Sequence, residues 1–331
     1  EQGNALDVAK LLHTLGAARA AHGDLAGASW AWQESLRRFR ENDDAWGVAD
    51  ALSSLGAAAF ESGDAARGLR LLNKALEGFR KVGDPEGTAL TLSRLGWVTR
   101  SRGDVDAAER HFDACLRLAR SSSATLEQIT CLHGLAATAL SRRDTNAAAV
   151  ALRDALGVTG VSEFRPLLAD GVEWGAHLMA AVDQPARSAQ IVGAVTAFRE
   201  RLDVSAPRSV LREREDLVAS LRTVLGPATF ALEYAQGRSM PVTTVIQAIL
   251  DASAVIGRDP VMRRINPIDE LTPRERDVLA LLRERYTDRE IATRLFLSPR
   301  TVSNHVANIL DKLGVANRRE AASLAASQGS I

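Results

Sequence analysis

The side chains best suited to specific hydrogen bonding lie near the end of the chain, in the segment SPRTVSNHVANILDKL at residues 298–313. Its apolar residues recur every three or four positions, which predicts one buried face of a helix. The other face then carries Arg300, Ser303, Asn304, Ala307 and Asn308. Because asparagine pairs bidentately with adenine and a short side chain can meet the thymine methyl group, this face predicts contacts with base edges in a DNA major groove.

A second set of residues around the same segment has the donors that phosphate groups need. It comprises Thr287, Arg289, Thr301 and Lys312. Backbone amides at the starts of two helices would add to these side chains, because a helix N-terminus attracts an anion. The whole chain carries 41 basic and 41 acidic residues, so no global field draws it to nucleic acid or to a membrane. The predicted contacts with double-stranded DNA must therefore be local.

Four short helices, each preceded by its own capping sequence, would position these side chains. Residues 272–275 and 287–290 each place a threonine at the N-cap and a glutamate three positions later, which is the pattern of a capping box. Ser298 and Pro299 begin the third helix, and Asn317 begins the fourth. The sequence therefore predicts a small four-helix domain over residues 270–328, with its third helix against DNA.

Five stretches of this region together resemble the LuxR-type helix-turn-helix domain. They are the segments 271–275 (LTPRE), 290–292 (EIA), 297–302 (LSPRTV), 304–306 (NHV) and 312–315 (KLGV). The resemblance implies a bacterial transcription regulator, and it leaves RNA polymerase open as a further partner. The family commonly has lysine at the position of Ser303 and glycine near Tyr286, so strong non-specific affinity for DNA is less expected here.

Several other residues of this domain match family positions or offer apolar surface. Glu275, His305 and Arg318 match the family, and we assign them structural roles, because polar residues in a small core need partners. The fourth helix carries Ala321, Ala322, Leu324 and Ala325. These small residues predict a homodimer on DNA, although packing against the first helix of their own domain explains them equally well.

The first half of the chain repeats itself with a period of forty residues. The shift aligns Leu12, Leu52, Leu92 and Leu132, and it aligns Asp24, Asp64, Asp104 and Asp144. Apolar residues within each unit fall at helical spacing, and a Gly-Asp turn divides the first three units into two helices. Each unit is therefore a predicted helical hairpin.

The repeat resembles the tetratricopeptide repeat in its small and large positions, although its period exceeds the common period of about 34. The resemblance implies an all-α chain: a tetratricopeptide-like solenoid followed by the small four-helix domain. We predict four units over residues 1–157, a degenerate hairpin and helical cap over 158–250, and a linker over 251–269. In the second helix of each unit, a large residue follows a small residue after four positions. We expect this large residue to pack against the next unit.

Stacked hairpins form a concave groove lined by the first helix of each unit. The groove positions are Lys10, His13, Asp50, Ser53, Phe60, Trp97, Arg100 and His133. Phe60, Trp97 and Arg100 form the strongest subset, because aromatic residues and arginine dominate binding hot spots. We predict that an unknown small molecule, peptide or protein partner binds there, while any one of these residues alone is better explained as ordinary surface.

Other functional classes find little support. The sequence contains no Gly-Lys-Ser/Thr loop and no Gly-x-Ser-x-Gly motif, and its six histidines lack ligand spacing, so no catalytic residue, metal or cofactor is predicted. Cys115 and Cys131 are expected to be reduced core residues of a cytoplasmic protein. No apolar run reaches the length of a membrane span. Glu1 precedes a helical pattern directly, so the native polypeptide is open to extension upstream, where a nucleotidase domain would have to lie.

Two alternatives remain at this stage. Sigma-factor DNA-binding regions begin with a similar Leu-Thr-Pro-Arg-Glu stretch, but Asn304-His305 and the stretch at 312–315 favour the LuxR type. The second alternative belongs to another class of protein: a repeat scaffold for protein partners whose C-terminal domain serves mainly to dimerise. A DNA-binding experiment distinguishes the scaffold from the regulator.

Overall fold

The computed structural model describes residues 2–158, 165–203, 206, 208–256, 272–284, 286–295, 297–313, 315, 317–318 and 320–322. Every regular element in these ranges is helical, which confirms the predicted all-α class. The chain divides into two compact units, Glu1–Gly257 and Arg258–Ile331.

The first unit begins with eight helices that pair consecutively into four hairpins. They are α1 (Gln2–Ala21), α2 (Leu25–Glu41), α3 (Ala45–Glu61), α4 (Ala65–Val82), α5 (Pro85–Ser101), α6 (Val105–Ser121), α7 (Thr125–Ser141) and α8 (Thr145–Val158). Helix pairs within a hairpin and between successive hairpins are both in contact. The second helices begin forty residues apart, as the sequence period predicts.

The aspartates aligned by the repeat cap the second helix of every hairpin. The carboxylate of Asp24 accepts a hydrogen bond from the backbone N–H three residues later at 2.8 Å, and Asp144 does the same at 2.9 Å. The preceding residue has a positive φ, which is 80° at Gly23 and 60° at Arg143. Glycine adopts this conformation without steric cost, whereas arginine does not.

Each hairpin is tightly packed because a small residue faces a large one. A Cβ atom added to Gly16 would lie 2.5 Å from Trp32, and one added to Gly96 would lie 2.5 Å from Phe112. The large residue therefore packs against its own hairpin as well as against the next one. Phe112 also reaches Gly134 of the following hairpin.

Five further helices complete the first unit. They are α9 (Arg165–Ala181), α10 (Pro185–Leu202), α11 (Arg208–Leu225), α12 (Pro227–Ser239) and α13 (Val242–Ile256). α9 and α10 form the degenerate fifth hairpin, and α12 crosses α10 closely where Gly193 and Gly237 each face backbone of the other helix. Within the described residues no single helix is long and apolar enough to span a membrane, although α12 and α13 meet that criterion together across a 113° bend.

The end of α13 differs from the expected linker. Residues 251–256 continue this helix, because Val245, Ile249 and Ser253 lie at helical spacing and are buried. α13 packs mainly against α8 and therefore belongs to the solenoid. The remaining part of the predicted linker, 257–269, lies outside the described residues.

The two cysteines also differ from their expected state. Cys115 on α6 and Cys131 on α7 are fully buried, as expected for core residues, but they form a disulfide with their Cα atoms 6.3 Å apart. The packing of α6 against α7 brings the two residues within bonding range, and their spacing of 16 residues in the sequence does not reveal this.

The second unit contains α14 (Pro273–Arg283), α15 (Asp288–Leu295) and α16 (Pro299–Leu313). Residues 318 and 320–322 are also helical, where the fourth helix was predicted. The core joins all four segments through Val278, Leu279, Leu282, Ile291, Ala292, Val302, Ile309 and Ala321. Ala321 is fully buried in this core, so the prediction that it offers dimer surface is wrong. Leu324 and Ala325 lie outside the described residues.

Replacing Arg143 with glycine should stabilise the protein. Arg143 is exposed and holds a φ of 60°, whereas glycine occupies the aligned turn positions Gly23, Gly63 and Gly103. We expect Arg143→Gly to raise the free energy of unfolding by about 1 kcal/mol, because it removes the Cβ clash of the left-handed conformation. Urea unfolding measures the change. Gly103→Ala is the matched control and should destabilise by a similar amount, so equal stability of all three proteins would contradict this account of the turn.

Candidate nucleic-acid interface and repeat groove

Capping bonds and core contacts determine which face of α16 points outward. The Ser298 hydroxyl accepts a hydrogen bond from the backbone N–H of Thr301 at 3.1 Å, so it caps this helix as predicted. Val302 and Ile309 are fully buried, and Val306 packs beside them. Because these residues occupy one side of the helix, the opposite side faces solvent.

The five residues predicted to contact bases all lie on that outward side. Arg300, Ser303, Asn304, Ala307 and Asn308 are all exposed. They form a stripe that mixes donors, acceptors and small apolar groups, as recognition of base edges requires. Arg300 forms no ion pair with another residue that the structure describes, so its guanidinium is available to an external acceptor.

The residues predicted to hold phosphate are less uniform. Arg289 is exposed and has no ion-pair partner among the described residues. The Thr287 hydroxyl instead donates to the Glu290 carboxylate at 2.7 Å, and the backbone hydrogen bond from Thr287 lowers the pKa of Glu290. The Thr301 hydroxyl is hydrogen-bonded to the Ser298 hydroxyl at 2.7 Å. Both threonines therefore have local capping partners, and the side chain of Lys312 lies outside the described residues.

Two of the three residues given structural roles do hold the domain together. Glu275 is buried and completes the capping box with Thr272, through hydrogen bonds of 2.8 and 3.2 Å. Arg318 donates to the Asp288 carboxylate at 3.0 Å and to the Tyr286 carbonyl at 2.9 Å. It thereby ties the start of the fourth helical segment to the turn before α15. The structural role of His305 stays a prediction.

Comparisons with known proteins agree with this geometry. The family model for bacterial regulatory proteins of the luxR family matches residues 269–325, and a tetratricopeptide-repeat model matches residues 47–121. The spore germination protein GerE of Bacillus subtilis is 51% identical over 51 residues, which cover 15% of this chain and 69% of that protein. This chain belongs to the LuxR family of bacterial regulatory proteins. The predicted repeat class is confirmed as well.

Two other relatives of this LuxR-family chain are named as a transcriptional regulator and a transcriptional activator. An HTH-type transcriptional regulator of Mycobacterium bovis is 32% identical over 161 residues, which cover 49% of this chain and 18% of that protein. The DNA-binding transcriptional activator DevR/DosR of Mycobacterium tuberculosis is 46% identical over 57 residues, covering 17% and 26% of the two chains. The chain thus spans under a fifth of the length of the first of these relatives.

The eight predicted groove residues lie on the first helices of the hairpins, but they do not form one open surface. Ser53 and His133 are buried, and Lys10 is exposed. His13 pairs with Asp50, with 3.3 Å between the imidazole and the carboxylate. Burial raises the pKa of Asp50. Phe60, Trp97 and His133 line one cavity of about 190 Å³.

Arg100, predicted as a groove residue, is paired with a residue of α11. Its guanidinium donates two hydrogen bonds to the Glu213 carboxylate, at 2.7 and 2.6 Å. It also lies over the rings of Trp97 and Trp174, 5.6 and 5.1 Å from their centroids. Arg100 therefore already has a partner within the protein, because α11 lies across this end of the groove. Its contact with a ligand stays a prediction.

Several residues of the groove were not predicted from the sequence. Arg94 donates to the Ser53 hydroxyl at 2.7 Å, and Asp170 and Trp174 of α9 line the same cavity as His133. Trp97 stacks on Trp174 with their centroids 5.8 Å apart. The position of Arg94, on the same first helix of the third hairpin as Trp97, was the available signal. Among the described residues, no group of histidine, cysteine and carboxylate side chains could hold a metal ion.

His133 is the most unusual titratable group of the groove. It is 2% exposed, its Nε2 atom has no hydrogen-bond partner among the described residues, and burial lowers its pKa to about 4. A polar atom left unpaired in this way costs free energy. The imidazole is therefore neutral near physiological pH.

The stability of the protein should fall as the pH is lowered through the titration window of His133. The unfolded chain binds a proton below the ordinary pKa of 6.5, whereas the folded chain excludes it until about pH 4. Because the unfolded state binds more protons in this window, stability falls as pH falls, by up to about 3 kcal/mol for this group. Urea unfolding at several pH values measures the slope.

His133→Leu should reduce that slope, since leucine does not titrate. His22→Leu is the matched control, because it makes the same replacement at an exposed histidine in the turn after α1. An equal slope in wild type and His133→Leu would mean that His133 does not titrate as its burial implies.

Proposed function

We propose that this chain is a DNA-binding transcription regulator whose α16 lies in the major groove of double-stranded DNA. The exposed stripe of Arg300, Asn304 and Asn308, opposite the buried Val302 and Ile309, carries this proposal. Membership of the LuxR family supports it. DNA as the partner also implies a cytoplasmic location in a bacterium.

Two kinds of contact follow from this docking. Arg300, Ser303, Asn304, Ala307 and Asn308 would face base edges. Phosphates would be held by Arg289, Lys312, Thr287 and Thr301, although both threonine hydroxyls already have capping partners. Their role then passes mainly to the backbone amides that they order at the starts of α15 and α16. Base contacts determine sequence preference, and phosphate contacts determine affinity and its dependence on salt.

Replacing Asn304 and Arg289 separately should distinguish these two kinds of contact. We expect Asn304→Ala to relax preference at one base position, at a cost of about 1 to 3 kcal/mol, because an amide that pairs with a base is lost. Arg289→Ala should weaken binding to all sequences alike and lower the salt slope by about one. Selection of bound sequences, with titrations at several salt concentrations, measures both effects on the full chain.

Thr293→Ala serves as a control, because Thr293 is exposed on α15 and its hydroxyl is hydrogen-bonded to the Arg289 carbonyl of its own helix. If Asn304→Ala weakened every sequence equally and lowered the melting temperature, Asn304 would brace the fold instead of contacting bases. A folded wild-type protein that binds no promoter fragment would favour the repeat-scaffold alternative.

We also propose that the protein acts as a homodimer on DNA. Two copies would bind two half-sites in the DNA. The second copy doubles the number of base contacts, which would explain how a protein with one short recognition helix distinguishes DNA sequences. Ala321 is used by the core of its own domain, so the contact must rest on other residues of this segment, such as the half-buried Ala322. RNA polymerase remains a proposed partner on the strength of the family alone.

The repeat domain is proposed to sense a small molecule, peptide or protein partner. The cavity beside Phe60, Trp97 and His133 supports a ligand, and the Arg100–Glu213 pair offers a contact that ligand binding can shift. Binding affects DNA only if the ligand has different affinities for two arrangements of the protein. α11 is the element best placed to differ between these two arrangements. Ion pairs attach it to α5 and α9, and its Val210 forms part of the cavity wall.

Loosening α11 should therefore change regulatory output. We expect Glu213→Gln to shift reporter-gene expression severalfold from a cognate promoter, because it removes the charge that holds Arg100. Glu215→Gln is the matched control, since Glu215 is exposed on the same helix. Expression at the wild-type level in both variants, with equal protein abundance, would contradict sensing through α11.

A further inference from the structure

The cavity between α3, α5, α7, α9 and α11 combines features that select a ligand. Its volume is about 190 Å³, and aromatic rings of Phe60, Trp97 and Trp174 line it. An apolar cavity of about 150 Å³ is known to hold benzene, so this one has room for a single substituted ring. Flat walls of this kind favour a planar aromatic molecule through ring stacking.

One cation in the lining has donors to spare. Arg94 is half-buried, and one of its terminal nitrogens donates to the Ser53 hydroxyl at 2.7 Å. Its guanidinium forms no ion pair with another residue that the structure describes. Because guanidinium matches a carboxylate in shape and charge, Arg94 favours an acid as the ligand.

Two carboxylates also line the cavity, and neither opposes an acid on Arg94. Asp170 is paired with Arg199 at 2.5 Å, so its charge is compensated. Glu61 is the last residue of α3 and lies about 12 Å along that helix from Ser53, which Arg94 contacts. The acid of the ligand is therefore expected at the Arg94 end of the cavity.

The lining further contains a polar group that lacks a partner. His133 is 2% exposed, and its Nε2 atom forms no hydrogen bond with the described residues. Either ring tautomer leaves this nitrogen as a donor or an acceptor in need of a partner. A ligand hydroxyl can donate or accept, so it satisfies both cases.

We propose that the cavity binds a single-ring hydroxyaryl carboxylate, with the ring against Trp97 and Phe60, the carboxylate on Arg94 and the hydroxyl on His133. This inference rests on the proposed sensing role of the repeat domain and names the chemical class of its ligand. Val210 of α11 contributes to the cavity wall, so a bound ligand also touches the helix whose Glu213 holds Arg100.

Calorimetric titration of the full chain tests the assignment with four probes: para-hydroxybenzoate, benzoate, cyclohexanecarboxylate and para-hydroxybenzyl alcohol. We expect para-hydroxybenzoate to bind best. Benzoate should bind about tenfold more weakly, because it lacks the hydroxyl for His133. The saturated acid lacks a flat ring and the alcohol lacks a charge, so each should lose at least about tenfold.

Two variants assign the contacts, each with a matched control. His133→Leu should reduce the affinity for para-hydroxybenzoate to that for benzoate and leave benzoate unchanged, whereas His22→Leu, at an exposed turn, should change neither. Arg94→Met should abolish the preference for the acid over the alcohol, whereas Arg70→Met, at an exposed position of α4, should preserve it. Thermal melts establish that each variant is folded.

The outcomes separate this inference from the proposed function. If the folded chain binds promoter DNA but none of the four probes at millimolar concentration, the ligand class is wrong and the regulator proposal stands. If neither variant changes the affinity for the probes, or if the uncharged alcohol binds best, the assignment is also overturned. Probe binding with the expected variant effects supports it even if no DNA is bound.

Discussion

The arrangement of the repeat groove depends on one buried carboxylate. Glu173 of α9 is 1% exposed, and an unpaired charge at such a depth would be strongly destabilising. Arg214 of α11 donates to it, with a bond of 2.8 Å from Nε, and Arg199 of α10 lies 3.9 Å away. The need to compensate this charge therefore holds α11 against α9. The same placement brings Glu213 to Arg100 and Val210 to the cavity wall.

The DNA-binding unit relies on a different constraint, which is the capping of short helices. An eight-residue helix such as α15 gains little from its own hydrogen bonds, so its orientation depends on its ends and on the core. Thr287 and Glu290 cap its start, and Arg318 ties the adjoining turn to the fourth helical segment. The outward direction of α16 follows from this framework, because Val302 and Ile309 have one core to enter.

The features that could be predicted from the sequence are those written in local patterns. The forty-residue period, the four N-caps and the outward face of α16 each depend on residues within a few turns of one another. The Arg100–Glu213 pair joins residues 113 positions apart, and nothing local to either residue indicates it. The same holds for the Cys115–Cys131 disulfide and for the burial of His133, which depend on how neighbouring helices stack. The repeat register predicts which helices carry the groove residues, but it does not predict which of their side chains are exposed.

The ligand proposed for the cavity would touch an element that is only partly committed to the core. Within α11, Leu217 and Leu221 are buried and Arg214 compensates the buried Glu173, whereas Glu213 holds the helix through a partly exposed ion pair with Arg100. Ion pairs near a surface contribute less than apolar burial and respond to small changes in geometry. The proposed ligand, in the space beside Val210, would thus act on the weaker attachment of α11. The energy that it contributes there sets the upper limit on any coupling to DNA binding, since a ligand shifts an equilibrium only by its differential affinity.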